Sequence, residues 1–177
     1  MDERKIRKTT RLYDGNYSCV GNFFITVCTK DKKCILSRVI VEKRNAVDNS
    51  VEEARIARTP YGKTADLYVR QLNSFYDKIN VDAYVIMPNH IHFLISILGD
   101  EGQDYAKDNP NHTLQNSMIS RFISTFKRFC NKEYGENIWQ YRSHDHIIRN
   151  LNDYNEHLAY IAENPKRWEK DNLFITE

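Results

Sequence analysis

The stretch Tyr84-Val85-Ile86-Met87-Pro88-Asn89-His90-Ile91-His92-Phe93-Leu94-Ile95 constrains the fold more than any other part of the chain. It reads as a strand, a tight turn at Met87-Pro88-Asn89, and a second strand. Side chains alternate across a strand, so His90 and His92 share one face while Ile91, Phe93 and Ile95 share the other. The apolar face belongs on a core. The opposite face sets two imidazoles side by side, within reach of one metal ion, which a purely structural strand does not need. On this stretch alone, metal or phosphate chemistry and a plain polar strand face both stay open.

The elements around it come from local patterning. Gly21 to Thr29 is β-branched and aromatic, a strand. Val39-Ile40-Val41 and Ala54-Arg55-Ile56-Ala57 pair as a small hairpin around Asp48-Asn49-Ser50. Pro60-Tyr61-Gly62 opens a helix to about Lys78, and Asn80 ends it. Residues 99–111 form a polar loop. Thr113 starts a long helix to about Tyr134, with Met118, Phe122, Phe126 and Phe129 as its buried stripe and Gly135 closing it. Ile138 to Ile148 is a last, interrupted strand. Asn152 or Asp153 caps a final helix ending at Asn164, because Pro165 cannot continue it. Residues 1–11 form a basic arm and 165–177 a tail. With the hairpin and last helix set aside, the order is βαββαβ. That order predicts an α+β, ferredoxin-like antiparallel sheet in one domain spanning 1–177, with two helices on one face. His90 and His92 then sit on the open face, where the additional C-terminal helix can lie.

Composition narrows the class. The 177 residues suffice for a real core. No segment reaches the ~18 apolar residues of a membrane helix, and the start, Met-Asp-Glu-Arg-Lys, has no apolar stretch behind it. A cytoplasmic, nucleoid-associated protein is expected, with no membrane partner. Cys19, Cys28, Cys34 and Cys130 form no Cys-x-x-Cys pair and are expected as buried thiols rather than zinc ligands or disulfides. The net charge of +2 does not by itself announce nucleic acid. The distribution says more: Arg4, Lys5, Arg7, Lys8 and Arg11 crowd the start, and Arg121, Lys127, Arg128 and Lys132 share one helix. Eleven tyrosines and eight phenylalanines accompany them, a mixture that suits single-stranded nucleic acid. Aromatics filling the core under an ordinary charged surface would give the same composition.

The last helix supplies what the histidines lack. At about 100° per residue, Leu151, Tyr154, Leu158, Ile161 and Ala162 cluster on one side. Asp153, Glu156, His157 and Asn164 gather near Tyr160, which therefore lies opposite the expected core stripe. Asn164 follows one turn later on the same side. His90 and His92 supply two nitrogens and Asn164 an oxygen, a mixed set that suits Mg²⁺ or Mn²⁺ engaging a phosphate. Tyr160 is the candidate nucleophile; a phenol with an ordinary pKa near 10 needs a base or water to deprotonate it. His144 and His146, around Asp145, have the same spacing and are a rival or supporting pair.

His90-Ile91-His92 resembles the His-hydrophobic-His motif of HUH endonucleases. The fuller set resembles the REP-associated tyrosine transposases and their insertion-sequence relatives, which have a single catalytic tyrosine. The matching stretches are Arg11-Leu12-Tyr13-Asp14, Phe23 to Thr29, Tyr61-Gly62-Lys63, Tyr84 to Leu94, Ile138-Trp139-Gln140, His144 to Asn150 and Tyr160 to Pro165, in family order and over most of the chain. The resemblance implies a ferredoxin-like fold and metal-dependent cleavage and rejoining of single-stranded DNA through a 5′-phosphotyrosine and a free 3′-OH. His90 and His92 match the metal pair, Tyr160 the nucleophile and Asn164 the third ligand. It implies hairpin-forming element ends or palindromic repeats as substrates, a monomer or homodimer, and DNA contacts from Arg7, Arg11, Lys127 and Arg128. Two departures, Tyr141 where the family often has arginine and Ser143 where it has an aromatic, bear on DNA recognition. A non-catalytic module that binds single-stranded or hairpin DNA, and a hydrolase using water, are the alternatives.

Overall fold

The structure is a computed structural model that describes residues 21–42, 53–99 and 118–175. In chain order the elements are β1 (Gly21–Cys28), β2 (Ser37–Glu42), β3 (Glu53–Arg58), α1 (Pro60–Phe75), β4 (Ile79–Ile86), β5 (His90–Ile97), α2 (Met118–Tyr134), β6 (His144–Ile148) and α3 (Leu151–Glu163). The main sheet has the order β4-β5-β1-β6, and every neighbouring pair is antiparallel. With the β2–β3 pair left out, this is the ferredoxin-like arrangement expected from the βαββαβ order, with α3 added. The small hairpin expected around residues 39–57 is present as β2 paired with β3; its turn lies outside the described residues, as do the arm 1–11, Cys19, the loop from residue 100 and the start of the second long helix.

Strand alternation sorts the two faces. Phe23, Ile25 and Val27 of β1 and Ile91, Phe93 and Ile95 of β5 form one core with Ala65, Val69 and Leu72 of α1 and Phe122 and Phe126 of α2. Phe93, Phe122 and Phe126 are fully buried, each contributing about 1.5–3 kcal/mol of apolar burial. The opposite face carries a second cluster: Val85, Met87, Leu94 and Ile148 of the sheet region with Ile161 and Trp168 from the end of the chain. Cys28 and Cys130 are buried as expected, whereas Cys34 is only half-buried.

Element ends differ from the sequence expectation where tertiary pairing takes over. Thr59 caps α1 by accepting from the Gly62 amide, and Pro60 occupies the first turn, where a missing N–H costs nothing. Gly62 approaches the Leu36 carbonyl so closely that a Cβ would lie 2.0 Å from its oxygen. The helix stops at Phe75 rather than Lys78, because Ile79 pairs with Ile97 and Asn80 with Ser96. Gly135, at φ 71°, ends α2 in the left-handed region. The interrupted last strand becomes a single bridge, Thr29 to Trp139, followed by β6. The cap of α3 is Asn150, which accepts from the Asp153 amide, rather than Asn152 or Asp153.

The largest difference concerns which side of α3 is inside. Leu151 is 72% exposed and Leu158 40%, so the leucines of the expected stripe face outward although Ile161 and Tyr154 of the same stripe do not. Ile161 is buried, and Tyr154, His157 and Tyr160 are half-buried. The sheet face under the helix offers His92, Thr26 and Phe24, which match polar and aromatic side chains better than leucine. The residues expected as a tail form a short 3₁₀ helix, Asn164–Lys170, with Trp168 buried. Among the described residues no helix is long and apolar enough to cross a membrane.

Candidate active site

β5 delivers both histidines to the face under α3. Thr26 pairs with His92 and Cys28 with His90 in the ladder. His90 is 0% exposed and His92 4%, and their Nε2 atoms lie 3.0 Å apart. The outer nitrogens are held. Asn89 Nδ2 donates to the Leu173 carbonyl at 2.8 Å, which turns its Oδ1 toward His90 Nδ1, also at 2.8 Å. That oxygen only accepts, so His90 carries its proton on Nδ1 and presents a lone pair at Nε2. His92 Nδ1 shares a 2.8 Å hydrogen bond with the Thr26 hydroxyl, which serves either tautomer. Burial, then the Lys32 charge, pushes His90 down to about 3. Burial and the neighbouring His90 hold His92 well below its ordinary value. Both imidazoles are therefore neutral near pH 7, the state a metal requires.

The end of the chain closes the site. The Tyr160 ring lies 5.2 Å from His92 and 5.9 Å from Phe24 between centroids. Its hydroxyl donates to Asp171 Oδ2 at 3.3 Å. Asn164 Nδ2 donates to the same oxygen at 3.2 Å, and Asp171 Oδ1 accepts from the Leu173 amide at 2.7 Å. Asp171 stands 4.0 Å from His90 Nε2. Burial first, then the charge and hydrogen bond of Asp171, raise the Tyr160 phenol above its ordinary value. A cleft of about 610 Å³, lined by Phe24, Thr26, His92, His144, Tyr160 and Asp171, opens beside these groups.

A divalent cation fits this donor set. His90, His92 and Asp171 each offer a ligand atom, all within 4.8 Å of one another. Asn164 is 1% exposed, and its Oδ1 is buried without a hydrogen-bond partner, a condition that costs about 1–3 kcal/mol and calls for an occupant. Two neutral nitrogens with carboxylate and amide oxygens form a mixed N/O set.

Of the residues singled out in the sequence, His90, His92, Tyr160 and Asn164 come together here. Lys127 and Arg128 do not. They stand on α2, which packs on the other face of the sheet. Lys127 Nζ donates to the Gln140 and Tyr141 carbonyls, and Arg128 lies over the Phe129 ring. Arg7 and Arg11 lie outside the described residues. His144 lines the cleft, whereas His146 turns to Asp153 of α3. Asp171 is the residue the sequence reading missed. The available signal was the composition of residues 165–177: a solvated tail has no use for Trp168 and Phe174, and those rings pack on each other at 5.2 Å.

No family model matches the chain. An uncharacterized protein of Haemophilus influenzae is 27% identical over 187 residues, covering 96% of this chain and 93% of that protein. A REP-associated tyrosine transposase of Escherichia coli is 33% identical over 85 residues, 48% of this chain and 43% of that protein. A solved structure of a REP-associated tyrosine transposase bound to a REP hairpin superposes with a TM-score of 0.54 at 23% identity, covering 94% of this chain and 74% of that one. The chain is thus similar in sequence to a REP-associated tyrosine transposase over about half its length, and it shares the fold of one over nearly all of it.

Proposed function

We propose that the protein is a metal-dependent endonuclease and strand-transferase of single-stranded DNA, acting on hairpin or palindromic ends through a 5′-phosphotyrosine. The observation that carries this reading is one pocket that gathers a phenol, two neutral imidazoles, a buried carboxylate and an unpartnered amide oxygen. The E. coli relative is a tyrosine transposase, and the structural neighbour was solved on a REP hairpin, which supports the substrate class.

His90 and His92 would hold a Mg²⁺ or Mn²⁺ ion through Nε2, with Asp171 and Asn164 Oδ1 as the oxygen donors. Bound there, the ion would supply Lewis-acid polarisation of a phosphate oxygen. The remaining work belongs to the chain. Tyr160 Oη attacks the phosphorus; the new bond is Tyr160 O–P and the broken one is P–O3′, which leaves a free 3′-OH. The raised phenol does not ionise unaided near pH 7, and Asp171 Oδ2 already accepts its hydrogen bond, so that carboxylate is placed to take the proton. Phe24 and His157, with ring centroids 4.5 Å apart, wall the cleft beside the nucleophile. Reversal with a different 3′-OH rejoins the strand.

The test is a denaturing gel with hairpin DNA and Mn²⁺. The parent protein should give a covalent protein–DNA band. Tyr160→Phe should retain hairpin binding and give none. A band surviving in Tyr160→Phe refutes the assignment and moves the nucleophile elsewhere, to Tyr154 first.

A further inference from the structure

The sequence offered His144 and His146 as a pair, but β6 divides them between two settings. His144 lines the cleft. His146 instead meets the first two turns of α3. Its Nε2 lies 3.0 Å from each carboxylate oxygen of Asp153. His157 Nδ1 lies 3.1 Å from Asp153 Oδ1, and the two imidazole rings are 4.8 Å apart between centroids. One ligand atom from each of the three residues falls within 4.8 Å of the other two.

We infer that His146, Asp153 and His157 form a second divalent-cation site, of the Zn²⁺, Co²⁺ or Ni²⁺ class, on the rim of the cleft. It is separate from the His90–His92 pocket and stands whether or not that pocket is catalytic. Three observations carry it. Two imidazole nitrogens with one carboxylate oxygen favour late first-row ions over Mg²⁺. Asp153 Oδ1 lies about 3 Å from each imidazole nitrogen and the three ligand atoms lie within 4.8 Å of one another, a spacing that metal–ligand distances of about 2.0–2.2 Å can span. The carboxylate is also oriented independently of the histidines: the Arg149 amide donates to Asp153 Oδ2 at 3.0 Å, and the Asp153 amide is tied to Asn150 Oδ1 at 2.9 Å. Ion binding would take over His157 Nδ1 from the Asp153 carbonyl, now 2.8 Å away, and leave the proton on Nε2. His146 is 45% exposed and His157 23%, so water or a ligand oxygen can fill the remaining positions.

The consequence reaches the nucleophile. His146 comes from β6, and Asp153 and His157 come from α3, the helix that carries Tyr160 one turn beyond His157. A bound ion would clip that helix to the edge strand. It would also place a positive charge on the cleft wall, where His157 and Tyr160 both touch Phe24.

The experiment is calorimetric titration of the metal-free full chain with Zn²⁺. The parent should take up two equivalents, and His146→Ala or His157→Gln should each take up one. In a His90→Ala/His92→Ala background one equivalent should remain, raise the thermal midpoint, and weaken at least tenfold on adding His146→Ala. His146→Ala leaves the Asn150 and Arg149 contacts of Asp153 intact, so its fold is not in question. A His90→Ala/His92→Ala chain that binds none, or a His146→Ala chain that binds as many equivalents as the parent with unchanged affinity, overturns the second site. The readout is binding, so failure of the cleavage reading leaves it untouched.

Discussion

Asp171→Asn tests whether the buried carboxylate organises the pocket. The Asp171 side chain is 4% exposed. It accepts from the Leu173 amide, the Tyr160 hydroxyl and the Asn164 amide. Asparagine has nearly the same shape but only one acceptor oxygen. If that oxygen stays on the Leu173 amide at 2.7 Å, the new NH₂ group faces the Asn164 NH₂, donor against donor. A hydrogen bond to a charged group is worth about 1.5–3 kcal/mol, so the variant should lose about 2 kcal/mol. At a urea dependence of about 2 kcal/mol per molar, the unfolding midpoint falls by about 1 M. The same change removes a negative charge 4.0 Å from His90 Nε2. Mn²⁺ affinity should drop about 10–100-fold, the range for groups that support or complete a metal site. Urea unfolding followed by circular dichroism and Mn²⁺ titration followed by electron paramagnetic resonance read the two effects on one sample. A midpoint and an affinity both unchanged would refute the reasoning.

Three further outcomes are expected. With His90 held at about 3 and His92 also depressed, the unfolded chain binds more protons than the folded one below about pH 6.5. Stability of the metal-free protein is therefore full above that pH and is lost toward pH 3, by up to about 1.4 kcal/mol per pH unit for each histidine; His90→Gln should flatten the acid limb of urea midpoint against pH, and an unchanged limb counts against burial of a neutral ring. Gly62→Ala sets a Cβ 2.0 Å from the Leu36 carbonyl oxygen, which also accepts from the Thr59 amide at 3.0 Å; the clash should outweigh the ~1 kcal/mol helix gain of alanine and lower the thermal midpoint by several degrees, whereas a rise would show that the contact can relax. Trp168→Ala removes a ring packed 5.9 Å from His90 and 5.2 Å from Phe174; it should cost about 3–5 kcal/mol and weaken Mn²⁺ binding with it, and native affinity at reduced stability would detach the metal pocket from the 3₁₀ segment.

Much of the plan was legible because its signals are local. The alternation around His90 and His92 stated which side chains share a face, and the ladder bears it out: Ile91, Phe93 and Ile95 are 0% exposed in the core under α1 and α2, while both imidazoles meet the other layer. The βαββαβ order led to the sheet order, because antiparallel neighbours and right-handed crossovers leave few alternatives. The helical wheel of α3 succeeded in one respect and failed in another. It grouped Tyr160 with His157 and Asn164, which is geometry internal to the helix. It set the inward side too far round the helix, because it assumed an aliphatic floor: Ile161 and Tyr154 do pack inward, but Leu151 and Leu158 are exposed.

By itself, the sequence determined the strands, the shared face of the two histidines, the angular position of Tyr160 and Asn164 on one helix, and the family resemblance that linked them. Tertiary structure alone decided that α3 lies over the histidine face and that residues 164–171 turn back to bring in Asp171. It also separated His146 from His144 and joined it to Asp153 and His157. The division has a physical reason. Periodicity reports relations within about two turns or one strand, whereas a carboxylate at 171 meets a histidine at 90 only through packing of Trp168 and Phe174, whose partners no local spacing encodes.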